Sequence, residues 1–281
     1  MIESLKKYYN ISVDNYYEYD NGIIFTLNGC NYFYLSTIYD QAYLEMLANI
    51  ILELKNKIRL HEFVLNKDGN ILSDGYVLLR MHGFIDTIDL NDINKYTIEV
   101  NSSHYKYFIN MVDFWYKKID YLELQVTELS DNKLINNSFD YYVGIAEMLL
   151  IYLKQYDNKY NLYLSHKVFK SLSNIDFYNP LNMTFDSKYR DLAYYIRLNK
   201  DVELLEKVIK YTNKNEYNYL FVRLVFPFEY FEALNNVLID KKNEKELVSI
   251  INNIDNYEEW IQTIEDILNI HIFNYIKKEV K

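Results

Sequence analysis

Residues 22–35 read GIIFTLNGCNYFYL, two apolar and aromatic runs on either side of the dipeptide Asn28–Gly29. Asn-Gly suits a two-residue type I′ turn, because both of its residues adopt positive φ at low cost. The runs Gly22–Leu27 and Cys30–Leu35 therefore predict the two strands of a tight hairpin. This hairpin indicates that the first third of the chain is built on a small antiparallel sheet.

The sequence on both sides of the hairpin extends this sheet. Ile11–Tyr19 predicts an earlier strand, and Asp40 is the expected cap of a helix with a clear apolar face. Two more strands are predicted at His61–Leu65 and Tyr76–Met81, with the turn signal Lys67–Asn70 between them. The expected order is strand, strand, strand, helix, strand, strand.

Helical periodicity dominates after Gly83, and Ser138 is the expected cap of its clearest amphipathic helix. Further helices are predicted at Tyr105–Glu128, Asp191–Leu198, Val202–Tyr211, Tyr217–Leu238 and Lys245–Lys278. Pro227 is expected to kink the helix that contains it. Leu162–Phe169 and Asn174–Phe185 have the patterning of short strands, with Asn179–Pro180 as a turn between short strands.

This change of pattern divides the chain, and the polar segment Asp86–Asn101 is the best boundary. Residues 1–85 are predicted to form an N-terminal lobe with a five-stranded sheet and one helix. Residues 86–281 are predicted to form a helical C-terminal lobe. The predicted fold class is α+β.

Composition narrows the class of protein. Half of the residues are apolar, which is enough for a continuous core, and the net charge of −10 disfavours nucleic acid and anionic membranes as partners. Cys30 is the single cysteine, so an internal disulfide is excluded. No secretion signal or membrane span is evident, so a cytoplasmic location is expected. The 31 tyrosines reflect AT-rich codons or, as the alternative, surface adhesion or cross-linking.

Four segments resemble known kinase-like proteins. Asp186–Ala193 (DSKYRDLA) resembles the D-x-x-x-x-D-L-A stretch that follows the metal-binding loop of aminoglycoside and choline kinases. Ser138–Glu147 (SFDYYVGIAE), Arg223–Glu232 (RLVFPFEYFE) and Gly75–Arg80 (GYVLLR) resemble runs of the spore-coat-associated kinase-like family, the YutH and CotS relatives, with the YutH-like branch favoured. The resemblance implies a protein-kinase-like (aminoglycoside phosphotransferase-like) bilobal fold, with a small antiparallel-sheet N-lobe and a helical C-lobe.

The resemblance also shows which catalytic groups are lost. An active member has a lysine on its third strand, whereas residues 32–37 (YFYLST) contain none. Active relatives also carry a catalytic loop that reads H-G-D, with an asparagine five residues later. Here His166 is kept, but Val168 stands where the aspartate belongs and Ser173 where the asparagine belongs. Valine neither accepts a proton nor orients a hydroxyl group, so the resemblance implies a degenerate catalytic loop.

The metal-binding aspartate has two candidate positions. Asp176 copies the D-F-G pattern, whereas counting back from the D-L-A stretch places Asn182 there, which is the favoured register. Both are weak remnants of a metal site, because an amide oxygen is a poor magnesium ligand and a lone carboxylate lacks a general base. The resemblance assigns Asp191 a structural role, as acceptor for backbone amides of Ser165–Phe169.

These losses predict a pseudokinase that acts as a scaffold or binding protein in spore coat assembly. Its expected partners are other coat proteins, in the mother-cell cytoplasm or on the coat, and no cofactor or metal is expected. The alternative is an active small-molecule phosphotransferase that uses ATP and magnesium, with Asp176, Asn174 or Asp186 in the lost roles. A third hypothesis is a nucleotide- or metabolite-binding pseudoenzyme whose occupancy biases a partner interaction.

Overall fold

The computed structural model describes residues 1–82, 90, 93–94, 97–100, 110–129, 133–156, 161–167, 174–239 and 244–273. The chain divides into two compact units: Met1–Ile98 with Leu164–Thr184, and Glu99–Tyr163 with Phe185–Lys281. The predicted boundary segment Asp86–Asn101 lies largely outside the described residues. The division at residue 85 therefore stays a prediction.

The strands of the described residues are β1 (Tyr17–Tyr19), β2 (Gly22–Leu27), β3 (Cys30–Ser36), β4 (Glu62–Val64), β5 (Leu72–Ser73), β6 (Tyr76–Arg80), β7 (Tyr163–His166) and β8 (Met183–Asp186). The helices are α1 (Ile2–Tyr9), α2 (Gln41–Leu54), α3 (Met111–Leu129), α4 (Lys133–Gln155), α5 (Asn174–Phe177), α6 (Arg190–Asn199), α7 (Val202–Ile209), α8 (Lys214–Val225), α9 (Phe228–Ile239), α10 (Glu244–Asn252) and α11 (Ile254–Leu268).

The first unit is built on an antiparallel sheet in the order β1-β2-β3-β6-β4, with β5 beside β6. The predicted hairpin is confirmed, because Leu27 pairs with Cys30 and the intervening Asn28 and Gly29 both have positive φ, 52° and 76°. Among the described residues this sheet has six strands where five were predicted. The additional strand is β5, a two-residue pairing formed as the chain turns back into β6.

Helix α1 was not predicted, because a single buried apolar residue gives an eight-residue segment little periodicity. Leu5 is fully buried in a cluster that contains Phe25, Tyr34 and Leu78. The strand predicted at Ile11–Tyr19 is correspondingly shorter, since only its last three residues pair with β2. Helix α1 thus provides apolar cover for this sheet.

Helix α2 begins as predicted, because the Asp40 carboxylate accepts a hydrogen bond from the Tyr43 amide at 2.8 Å. Of the two short strands predicted within Asn174–Phe185, on either side of a turn at Asn179–Pro180, the turn and the second strand are confirmed, whereas the first strand is wrong. Its start is the helical turn α5, Pro180–Asn182 form a 3-10 turn, and only β8 pairs, with β7. The Asn179 side chain accepts from the Leu181 amide at 3.0 Å, which stabilises the turn that was predicted at Asn179–Pro180.

The second unit is helical, with one large core cluster. Ser138 is inside α4 rather than at its cap. Its hydroxyl group donates to the Ile135 carbonyl at 3.1 Å and lies 3.0 Å from the hydroxyl group of Tyr230. The Tyr230 ring stacks on Tyr142 with centroids 3.9 Å apart, so this serine serves packing between helices α4 and α9.

Pro227 separates two helices, α8 and α9, instead of kinking one. Because a helix end leaves carbonyl groups without partners, other side chains must supply donors there. Arg197 donates to two of these carbonyls, at 3.3 Å each. The Trp260 indole N–H and the Tyr257 hydroxyl group donate to the two carbonyls between them, at 2.9 and 2.7 Å. The carbonyl groups belong to Arg223, Leu224, Val225 and Phe226.

No helix in the described part of the chain is both long and apolar enough to cross a membrane.

Candidate functional site

The segment that corresponds to the predicted catalytic and metal-binding loops lies mostly in the first unit. Its strand β7 ends at His166, which is almost fully buried. The His166 ring stacks on Phe177 at a centroid distance of 4.3 Å, and its Nε2 atom donates to the Phe177 carbonyl at 2.8 Å. These contacts bind β7 to α5. Val168 and Ser173 lie outside the described residues, so the loss of the catalytic aspartate and asparagine stays a prediction.

Asp176 is one of the two candidate metal-binding positions, and it is hydrogen-bonded within the protein. The Tyr19 hydroxyl group, at the end of β1, donates to Asp176 Oδ2 at 2.8 Å. The Asn182 side-chain amide points back to the Asp176 carbonyl at 3.4 Å. The two candidate metal ligands are thus brought together, but each already takes part in an internal contact.

Residues of β3 pack closely against Gly22, which follows the turn between β1 and β2. A Cβ atom added to Gly22 would lie 2.5 Å from the Tyr34 carbonyl oxygen and 2.8 Å from a ring carbon of Phe33. Phe33 is 1% exposed and meets the Tyr19 ring edge-on, with centroids 5.9 Å apart. An apolar ring therefore contacts this glycine, on the strand where the resemblance implies a phosphate-holding lysine.

A lysine that sequence reasoning passed over takes a central position. The Lys167 ammonium donates to the hydroxyl group of Tyr39 at 2.5 Å and to the Leu181 carbonyl at 2.8 Å, and it lies 3.5 Å from the hydroxyl group of Tyr43. It also lies 4.3 Å from the centre of the Tyr39 ring. The backbone amide of Lys167 donates to the Asn182 carbonyl at 2.7 Å. A fixed positive charge is thus held beside the segment that carries the favoured metal position.

His61 is a second residue that the sequence did not identify. Its side chain is fully buried, and its Nδ1 atom accepts a hydrogen bond from the His82 amide at 3.2 Å. Its own amide donates to the Tyr178 carbonyl at 2.8 Å, which binds it to the residue after α5. Burial, and then the charge of His82, lower the pKa of His61 to about 3, so the ring is neutral near pH 7.

Asp186 belongs to the second unit and lies in a buried ion cluster. Its carboxylate accepts from the guanidinium groups of Arg190, at 2.6 Å, and Arg223. The Tyr219 hydroxyl group and the Ser187 amide also donate to it. Burial alone would raise the pKa of Asp186, but the charges of Arg223 and Arg190 outweigh that effect and hold it below its usual value. Asp186 is therefore an ionised, internally paired carboxylate, which argues against the substitute catalytic role considered for it.

Asp191 is also buried, in the first turn of α6. This location suits a carboxylate, because the amide groups of a helix start favour negative charge. The bonds expected from the amides of Ser165–Phe169 remain a prediction.

Three observations bear on whether a magnesium–nucleotide complex could be held by the described residues. In the described part of the chain, no cluster of three or more histidine, cysteine or carboxylate side chains could hold a metal. The Lys167 ammonium binds the carbonyl next to Asn182, and a cation there opposes the approach of Mg²⁺. The buried Phe33 ring lies beside Gly22 and supplies no hydrogen-bond donor there, whereas a bound phosphate needs donors.

Comparison with other proteins places this geometry in context. No model of a known protein family matches the chain. The endospore coat-associated protein YutH of Bacillus subtilis is 28% identical over 192 residues, which are 56% of this chain and 56% of YutH. The match thus spans little more than half of this curated relative.

Solved structures with the same fold cover nearly the whole chain. An aminoglycoside phosphotransferase from Alicyclobacillus acidocaldarius matches 93% of the chain and 94% of its own length, with a TM-score of 0.55 and 9% identity. The choline kinase LicA from Streptococcus pneumoniae matches 94% of the chain and 97% of its own length, with a TM-score of 0.56 and 9% identity. At such identities the likeness establishes the fold alone. The chain is accordingly a homologue of the endospore coat-associated protein YutH and has the aminoglycoside phosphotransferase and choline kinase fold.

Proposed function

We propose that this protein is a pseudokinase that serves as a scaffold or binding protein in spore coat assembly. The observation that carries the proposal is the hydrogen bond that the Tyr19 hydroxyl group donates to Asp176, because it gives the one carboxylate among the two candidate metal-binding positions a partner inside the first unit. Because phosphoryl transfer depends on electrostatic stabilisation by metal ions and cationic side chains, a site with its charges internally paired is poorly suited to it.

The sequence adds three losses to this geometry. Residues 32–37 contain no lysine, Val168 replaces the catalytic aspartate of the resemblance, and Ser173 replaces the asparagine. Each group has a separate role in catalysis, so their joint loss is expected to lower turnover by many orders of magnitude. The alternative phosphotransferase hypothesis needs Asp176, Asn174 or Asp186 as substitutes. The pairing of Asp186 with two arginines weakens that hypothesis.

The cellular role in the proposal comes from YutH, whose name describes an endospore coat-associated protein. With a net charge of −10 and 17% aromatic residues, the chain suits protein contacts better than nucleic acid or anionic membranes. Its proposed partners are other coat proteins, and its proposed location is the mother-cell cytoplasm or the coat. No cofactor is part of the proposal.

Two measurements test this proposal. Purified protein is assayed for ATP turnover with magnesium over a panel of hydroxyl and amine acceptors, and no turnover is expected. Turnover that disappears in Asp176→Ala but persists in the matched variant Asp113→Ala would establish the phosphotransferase instead. A fluorescent fusion followed through sporulation tests the cellular role, since a diffuse signal in vegetative cells contradicts it.

A titration with ATP and magnesium separates the third hypothesis. A ligand that binds only the folded state must raise the melting temperature. An unchanged melting temperature is expected. A rise without turnover would favour the nucleotide-binding pseudoenzyme.

A further inference from the structure

Two aromatic rings and three oxygen atoms surround the Lys167 ammonium group, as in a binding site for a cation. Tyr43 lies in the first turn of α2, and Tyr39 immediately precedes the Asp40 cap of this helix. Their rings stack with centroids 4.4 Å apart and an interplanar angle of 26°. Lys167 Nζ lies 4.3 and 5.5 Å from the two ring centres. Both distances are within the range of a cation–π interaction.

The oxygen atoms around Nζ match the chemistry of a primary ammonium. Such a group has three N–H donors and no acceptor. Here it faces the two tyrosine hydroxyl groups and the Leu181 carbonyl, at 2.5, 3.5 and 2.8 Å. A quaternary ammonium has no N–H to donate, and a guanidinium is planar with a different donor geometry.

The tyrosines remain uncharged acceptors under ordinary conditions. Burial raises the pKa of Tyr39 above its usual value, and burial together with Tyr39 raises the pKa of Tyr43 to about 12. Near neutral pH both phenols keep their protons, so their oxygens accept from the ammonium while their ring faces attract it.

We propose that Tyr39, Tyr43 and the Leu181 carbonyl form a binding site for a primary alkylammonium group, which Lys167 fills as an internal ligand. The site joins the start of α2 to the turn that carries Asn182, so filling it fixes this turn without a metal or a nucleotide. The inference rests on the geometry of these residues and does not require the proposed function.

Truncation of the lysine makes the site available to an added amine. Lys167→Ala removes Cγ, Cδ, Cε and Nζ, which together have the size of n-propylammonium. The thermal unfolding of the whole chain is then measured in n-propylammonium chloride and in an equal concentration of tetramethylammonium chloride. Lys167→Met is the matched control, because it also removes the charge but keeps the space filled.

Both variants are expected to melt below the parent protein. At ~100 mM, n-propylammonium is expected to raise the melting temperature of Lys167→Ala by about 2–4 °C relative to tetramethylammonium. The parent protein and Lys167→Met should shift by less than about 1 °C, because their sites are filled. Tyr43→Leu in the Lys167→Ala background should reduce the rescue.

Three outcomes overturn the proposal. The first is a melting temperature of Lys167→Ala equal to that of the parent protein, and the second is an equal effect of the two salts on the melting temperature of Lys167→Ala. The third is an equal rise in the melting temperature of all variants in n-propylammonium. If Lys167→Ala does not fold on expression, its refolding yield in the two salts decides, and equal yields count against the site. ATP turnover measured on the same samples tests the proposed function separately.

Discussion

Acidification should destabilise this protein through His61, a histidine that is fully buried in the first unit. The folded protein keeps this ring neutral, because burial lowers its pKa to about 3 from the ordinary value of 6.5. Protonation would also turn Nδ1 from an acceptor into a donor facing the His82 amide. The unfolded chain has no such constraint and binds a proton as the pH falls below about 6.5.

The sign follows from the linkage between protonation and folding. Between about pH 6.5 and pH 3 the unfolded state holds more protons at this residue, so the free energy of unfolding falls as the pH falls. Each full pH unit in this window is worth about 1.4 kcal/mol. From pH 7 to pH 5 the loss from His61 should therefore reach about 2 kcal/mol, and it should be complete near pH 3.

Urea unfolding followed by far-ultraviolet circular dichroism, at several pH values between 7 and 5, measures this effect. His61→Asn is the test variant, because its side-chain oxygen can accept from the His82 amide and does not titrate in this range. The stability difference between the parent and His61→Asn should shrink by about 2 kcal/mol on acidification. His271→Asn, at an exposed histidine, is the control and should leave the pH dependence of the parent unchanged. A difference between parent and His61→Asn that stays constant with pH would refute the reasoning.

Three further predictions concern the second unit. Asp186→Asn removes the carboxylate that pairs with Arg223 and Arg190, so the free energy of unfolding measured in urea should fall by about 3–5 kcal/mol. The control Asp255→Asn, at an exposed position, should lower it by less than about 0.5 kcal/mol. Equal stability of Asp186→Asn and the parent would contradict the buried ion cluster. Tyr257→Phe removes the hydroxyl group that donates to the Val225 carbonyl at the end of α8, so the free energy of unfolding should fall by about 1 kcal/mol in thermal unfolding. An unchanged free energy would mean that this carbonyl has another donor. Asp191→Ala should lower the free energy of unfolding by about 1–3 kcal/mol, as measured by the denaturant midpoint. A parent-like midpoint for Asp191→Ala would show that its structural role is wrong.

Local patterns in the sequence were enough to predict several elements of the fold. The Asn28–Gly29 turn and the Asp40 cap were predicted because the residues that decide each structure are neighbours in the chain. Helix α1 lacked such a signal, since its stability depends on one side chain, Leu5, that reaches a sheet formed later in the sequence.

The candidate site could be predicted only in part, because its decisive contacts join distant residues. Tyr19 and Asp176 are 157 positions apart, and Lys167 meets Tyr39 across 128 positions. No spacing rule links such pairs. The sequence predicted which catalytic groups are missing, whereas the internal partners of the remaining charges required the three-dimensional structure.

The positions of the two tryptophans, Trp115 and Trp260, have a practical consequence for spectroscopy. Both belong to the core cluster of the second unit, and the first unit contains no tryptophan. Indole emission excited near 295 nm will therefore report on the helical unit and remain insensitive to the sheet. Circular dichroism detects both units, so a mismatch between the two optical signals during unfolding would reveal that the units lose their structure in separate steps.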